Sequence, residues 1–183
     1  MKTSPTLILV TGLWIGATLA VLGAVAYNFI GINRAVEANE RLAERVDFTP
    51  NDRAARRQSP IYVFAGELNR SLLYAFNRVQ LGLAGLAFLL CAARLRSVAL
   101  SGALLLALGG VVWMAFWLAP EITEIGRSID FKPKPEAGQD EAFDRFDFLH
   151  RIYVSIEGIK TAVVACVAAV ATWGFRKKTE ADG

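Results

Sequence analysis

The chain has 183 residues, of which 54% are hydrophobic and only 20% charged; its net charge is +3 and its mean hydropathy +0.38. That hydrophobicity excludes a disordered chain, and two cysteines exclude a disulfide-stapled secreted scaffold. The length suits one domain, and the dispersed positive charge does not point to nucleic acid.

Four stretches are apolar over about the 20 residues a helix needs to cross hydrocarbon. They run from Leu7 to Tyr27, from Val79 to Ala93 (or from Tyr74, with Asn77 and Arg78 at the edge), from Val98 to Pro120, and from Ile152 to Phe175. Only helices satisfy their own backbone groups in lipid, and the roughly 10-residue alternating segments of a transmembrane barrel are missing. The pattern predicts an all-α integral membrane four-helix bundle made of two long helical hairpins with extramembrane extensions. The helices are expected at about 7–48, 61–94, 97–130 and 140–176.

The first block could instead be read as a signal peptide, with Lys2 before it and Ala24-Val25-Ala26 as a small-residue site. Its apolar run exceeds the usual 7–15 residues, so a retained span is expected. From Asn28 to Phe48 there is no proline, and Ile32, Val36, Ala43 and Val46 recur at helical spacing, so this helix is expected to protrude as far as Thr49-Pro50-Asn51-Asp52. After a basic stretch (Arg53, Arg56, Arg57), Pro60 allows a second helix to begin at Ile61 and descend. The third helix continues past Pro120 through Ile122, Ile125 and Ile129, and Lys132 to Gly138 reads as a loop. Arg45-Val46-Asp47-Phe48 resembles Ser128-Ile129-Asp130-Phe131, and Phe76-Asn77-Arg78-Val79 resembles Leu149-His150-Arg151-Ile152. These matches point to an internal repeat with its axis along the membrane normal.

Basic residues near helix ends set orientation. Lys2, Arg94, Arg96, Arg176, Lys177 and Lys178 all fall on one side, which is expected to be cytoplasmic; both termini are then expected on the cytoplasmic side of a bacterial inner membrane. The connection from Ala119 to Arg151 carries five Lys/Arg against eight Asp/Glu, which suits the outer side. Trp113, Trp117 and Trp173 fit an interfacial aromatic belt.

The most specific constellation lies on the fourth helix. His150, Tyr153, Glu157 and Lys160 fall at i, i+3, i+7 and i+10 and share a face that Asp147 extends. Glu157 falls near the outer rim, with Lys160 one turn deeper. A parallel stripe on the second helix holds Glu67, Arg70, Tyr74 and Asn77, with Arg78 beside it and Gly82, Ala84 and Gly85 below. Small residues permit close approach. The expectation is a polar pocket between helices two and four formed by Arg70, Asn77, Arg78, His150, Tyr153, Glu157 and Lys160, with Arg70 or Arg78 neutralising Glu157. Two readings of that pocket stand side by side. It is either a structural network that fixes helix register, or a binding or conduction site for an ion, proton or small polar ligand.

No metal or cofactor is expected. A single histidine excludes bis-histidine haem, and Cys91 and Cys166 read as small buried hydrophobes without a Cys-x-x-Cys motif. Gly109-Gly110 reads as a point of close packing. No Gly-x-Ser-x-Gly, Walker, His-Glu-x-x-His or Rossmann pattern occurs, so no catalytic residue is assigned and the chain is not expected to be an enzyme.

Leu118-Ala119-Pro120-Glu121-Ile122, Phe76-Asn77-Arg78 and Phe148-Leu149-His150-Arg151-Ile152-Tyr153 together resemble a family of small four-helix bacterial membrane proteins of unknown function, similar to the transmembrane-protein-205 group. The resemblance implies the same bundle over Leu7 to Phe175 and carries no activity with it. The expected roles are a scaffold or accessory subunit with protruding outer hairpins, or a small oligomeric transporter or channel component. The expected partners are the bilayer and a second copy or another membrane protein.

Overall fold

A computed structural model describes residues 5–39, 41, 59–95, 97–130, 132, 138 and 140–182, without the side chains of 37, 94, 95 and 174–182. The predicted turn at 49–52, the basic stretch at 53–57, the side chains of the orienting residues Lys2, Arg94, Arg96, Arg176, Lys177 and Lys178, and most of the 132–138 loop lie outside that description.

The described residues form four long helices and no strand. Helix α1 spans Pro5–Glu37 and α2 spans Pro60–Leu90, continuing as a π-helical turn through Cys91–Leu95. Helix α3 runs Val98–Trp113, widens into a π-helical turn at Met114–Leu118, and resumes over Ala119–Ile129. Helix α4 spans Glu141–Asp182. All four are long and apolar enough to cross a membrane. The chain is an all-α membrane four-helix bundle of two helical hairpins.

Helix α1 is interrupted after Glu37; Arg41 is again helical, and residues 42–48 of the expected extension lie outside the described residues. Ala38 N–H still bonds the Arg34 carbonyl at 3.0 Å, but Asn39 N–H closes on Val36 at 3.2 Å, a tightened last turn. Asparagine competes with the helix ladder for hydrogen bonds and is a frequent helix stop. The π-turn in α3 also escapes a reading of the sequence by period. Pro120 offers no N–H to the preceding turn, and its ring crowds the carbonyl four residues earlier. The wider turn relieves that crowding, and Ala119 N–H reaches back to the Met114 carbonyl instead. Ser97 starts α3, its hydroxyl accepting from Leu100 N–H, and Asp140 starts α4, its carboxylate accepting from Ala142 N–H at 2.9 Å.

Helix α1 packs on α2 and α4, and α3 packs on the same two, so α2 and α4 face each other across the diagonal of a square. The half of the bundle nearest the short α2–α3 link is filled by Leu7, Val10, Trp14, Ala84, Ala87, Cys91, Leu104, Ala107, Val111, Val164, Val167 and Ala171. Nearer the long connections, Met114, Leu118, Leu149 and Tyr153 form a second apolar cluster between α3 and α4. Large apolar side chains such as Leu9, Leu22, Leu86, Leu106 and Ile159 are turned outward, as suits a bundle with lipid around it. Trp113 and Trp117 stack at 5.5 Å on the outer surface, and Trp173 is exposed near the other end, at heights that suit the two interfaces.

The glycines divide by position. Gly110 lies 3.4 Å, measured from an added Cβ, from Ile156 of α4, whereas Gly109 faces open space. Gly82 and Gly85 also face open space rather than a partner helix, because α2 meets α4 only across the diagonal. Gly126 is the tight one: an added Cβ would stand 3.0 Å from the Arg70 guanidinium and 3.2 Å from Phe146. Gly126→Leu should therefore cost about 1–3 kcal/mol and lower the melting temperature in detergent. Gly82→Ala should be neutral or stabilising by up to about 1 kcal/mol in the same assay.

Candidate functional site

The two apolar clusters bracket a polar layer. Asn77 and Gln80 enter it from α2, Trp14 from α1, and Tyr153, Glu157 and Lys160 from α4; all six are buried. The Lys160 ammonium donates to the Glu157 carboxylate at 2.6 Å, one helical turn away, and also to the Gln80 side-chain oxygen. The Trp14 indole N–H donates to that same oxygen at 3.2 Å. Tyr153 OH donates to the Asn77 oxygen at 3.1 Å. Lys160 also stands 5.8 Å from the Trp14 ring centre and 5.9 Å from that of Phe76, within range of a cation–π attraction.

The local reason is the spacing along each helix. From Leu149 onward the buried positions described on α4 are Leu149, Tyr153, Glu157, Lys160, Val164, Val167 and Ala171, a core seam recurring every three or four residues. On α2 the seam is Ala65, Asn69, Phe76, Asn77, Gln80, Ala84 and Ala87. The polar residues lie where the two seams meet. Placing an ion pair among apolar neighbours carries a desolvation cost of several kcal/mol per ion, offset only by good geometry and further hydrogen bonds. Gln80 supplies such a bond, and the aromatic rings of Trp14 and Phe76 add a weaker attraction.

Of the seven predicted pocket residues, the structure brings together Asn77, Tyr153, Glu157 and Lys160. It does not bring Arg70, Arg78 or His150 to them. The expected neutralisation of Glu157 by Arg70 or Arg78 is replaced by Lys160, which lies on the same helix. Arg70 instead grips Asp130 of α3 through both guanidinium nitrogens, at 2.8 and 2.9 Å, and bonds Glu67 at 3.1 Å. Arg127 joins the same network through Glu67, and Arg145 pairs with Glu121. These charges stay near water and tie the long-connection ends of α2, α3 and α4 together. Arg78 is exposed, its guanidinium 4.1 Å from the Tyr74 ring centre. His150 is exposed as well and stacks on Phe146 at 5.9 Å.

Gln80 and Trp14 are the members that the sequence pattern did not single out. Gln80 sits three residues after Asn77 inside an apolar run, and that offset is the signal that could have found it. Trp14 is buried, unlike the exposed Trp113, Trp117 and Trp173. A part-buried amide pair lies further along, where Asn28 Nδ2 donates to the buried Asn69 Oδ1 at 2.6 Å. Cys91 is buried and accepts from Ser101 at 3.7 Å, whereas Cys166 is exposed. Among the described residues no three His, Cys, Asp or Glu side chains gather where a metal ion could be held.

Comparison with known proteins finds no matching family model, no similar curated protein and no matching solved structure.

Because the charges answer each other, breaking the pair on one side should cost more than removing it whole. Lys160→Met should destabilise the protein by about 3–5 kcal/mol, and Glu157→Gln combined with Lys160→Met should recover a large part of that loss. Thermal unfolding in detergent of the two single variants and the double variant measures the coupling.

Proposed function

We propose that this chain is a non-enzymatic multi-pass membrane protein that serves as a scaffold or accessory subunit, presenting the long-connection ends of its hairpins to a membrane-protein partner or a second copy. In this reading it lies in a bacterial inner membrane with both termini in the cytoplasm, and the two hairpins are related by an ancient duplication. The resemblance to the transmembrane-protein-205 group fits that architecture without naming an activity.

One observation carries the proposal. The buried charges are paired with each other, and an unbroken apolar cluster from Leu104 to Val167 lies between them and the short-link end. A conduction path would need free polar groups there; the cluster offers Leu, Val, Ala, Trp14 and Cys91, and the buried Thr11 hydroxyl is spent on the Leu7 and Ile8 carbonyls. In this reading the long-connection end, by contrast, carries apolar surface beyond the hydrocarbon. The helical path from Leu68 to Leu95 covers about 40 Å at ~1.5 Å per residue, against a hydrocarbon thickness of about 30 Å. Tyr27, Ile30, Phe64 and Leu68 are nonetheless exposed around that height, and exposed apolar groups beyond the lipid mark interaction surfaces.

A second reading, a small oligomeric transporter or channel component, is favoured by the hydrogen-bonding groups in the polar layer that have no partner among the described residues. The two readings separate in proteoliposomes. The scaffold reading expects equal ion and proton leak for the wild type and for Glu157→Gln with Lys160→Met. A flux that disappears in the folded double variant would favour transport. For the scaffold role, Phe64→Glu with Leu68→Glu should abolish cross-linking to the partners captured by the wild type, and an unchanged partner set would count against it.

A further inference from the structure

The polar layer contains more hydrogen-bonding capacity than its own residues use. Among the described residues, Asn69 Nδ2, Asn77 Nδ2, Gln80 Nε2 and Glu157 Oε1 have no partner. Their side chains belong to residues 5%, 1%, 0% and 6% exposed. Swapping amide nitrogen and oxygen does not help at two of these positions. The Gln80 oxygen already accepts from both Trp14 and Lys160, and the Asn69 oxygen accepts from Asn28. Each buried donor or acceptor left unmade costs about 1–3 kcal/mol, and such groups are rare in folded proteins. Lipid tails cannot supply the missing bonds.

The placement of these atoms describes a path. Asn69, Asn77 and Gln80 lie along one seam of α2, and Asn69 to Gln80 covers about 16 Å at ~1.5 Å per residue. Asn69 sits beside the Glu67–Arg70 charges near the aqueous long-connection end. Past Gln80 the same seam turns to Ala84, Ala87 and Cys91 inside the apolar cluster. The path therefore has a wet end and a dry end.

The chemistry of the unused atoms selects the occupant. It must accept from three amide N–H groups and donate to one carboxylate oxygen. It must carry no net charge, because Glu157 and Lys160 already cancel. A cation cannot accept, and an anion would meet the Glu157 carboxylate. Water does both jobs and is the smallest molecule that can. We infer that a file of internal water enters at the Asn28–Asn69 pair, passes Asn77 and ends at Gln80 and Glu157. The bundle thus holds a hydrated blind channel open at the long-connection end only. This rests on the polar-layer geometry and stands or falls separately from the scaffold reading.

X-ray radiolytic footprinting of the full chain in lipid nanodiscs tests it, since bound water is turned into hydroxyl radical in place and oxidises its neighbours. After correction for intrinsic reactivity, Trp14 and Tyr153, 1% and 8% exposed and bonded to Gln80 and Asn77, should be modified at least about ten-fold faster than Cys91, 0% exposed and past Gln80 on the seam. Protection of Trp14 and Tyr153 equal to that of Cys91 would overturn the inference. Asn77→Leu should plug the file and suppress labelling of Trp14 while leaving that of exposed Trp173 unchanged. Undiminished Trp14 labelling in that variant would overturn the route. Asn69→Leu provides the same plug at the wet end should Asn77→Leu not fold.

Discussion

The bundle is organised around one constraint: a carboxylate and an ammonium on α4 face the interior of a structure whose exterior is apolar. Glu157 and Lys160 are one turn apart, so they neutralise each other with no help from a distant arginine. Neutrality alone does not meet the cost of their desolvation. A further bond comes across the diagonal from Gln80, whose oxygen also accepts from Trp14 on the neighbouring α1. Three helices are therefore held in one register by a single carboxamide oxygen and its two donors. Shifting any of the three by a residue would turn that group toward another face.

The layers on either side follow from the same constraint. Toward the short link the seams carry small and branched apolar residues, so the helices approach closely and little polar surface remains. Toward the long connections, bulkier Met114, Leu118, Leu149 and Tyr153 fill the α3–α4 side, while the α1–α2 side carries amides. Beyond them, partly buried charges at Arg70, Asp130 and Glu67, joined by the exposed Arg127, clamp the helix ends. Polarity thus rises from the short-link end to the long-connection end, a gradient consistent with access to water from one side.

Much of the fold was legible because lipid makes long apolar runs unambiguous: four blocks gave four helices, and their short and long links gave the hairpins. The site was legible in part. Tyr153, Glu157 and Lys160 fall on one helical face in the sequence and are together in the structure. By the i, i+3, i+7, i+10 spacing His150 belongs to the same face as Tyr153, Glu157 and Lys160. The seam drifts around the helix instead and reaches Leu149, leaving His150 on the surface against Phe146. Arg70 shares one stripe of α2 with Glu67, Tyr74 and Asn77, and Arg78 lies beside it, but Arg70 pairs with Asp130 and Glu67 and Arg78 stacks on Tyr74. Gln80 was hidden because one amide hardly lowers the hydropathy of the run around it, and Trp14 because a buried and an interfacial tryptophan look alike in sequence. The π-turn before Pro120 belongs to a local steric conflict that periodicity does not register.

The central claim is that lipid surrounds this bundle and that its polar groups are turned inward. Ile159 and Lys160 are adjacent in sequence and face opposite ways, one largely exposed and one buried. Spin labels placed singly at Leu86, Leu106 and Ile159 of the full chain in liposomes read the solvent on that outer face. The account predicts that collisions with oxygen, which concentrates in hydrocarbon, dominate over collisions with a water-soluble nickel chelate at all three positions. Preferential collision with the nickel chelate at these positions would contradict it.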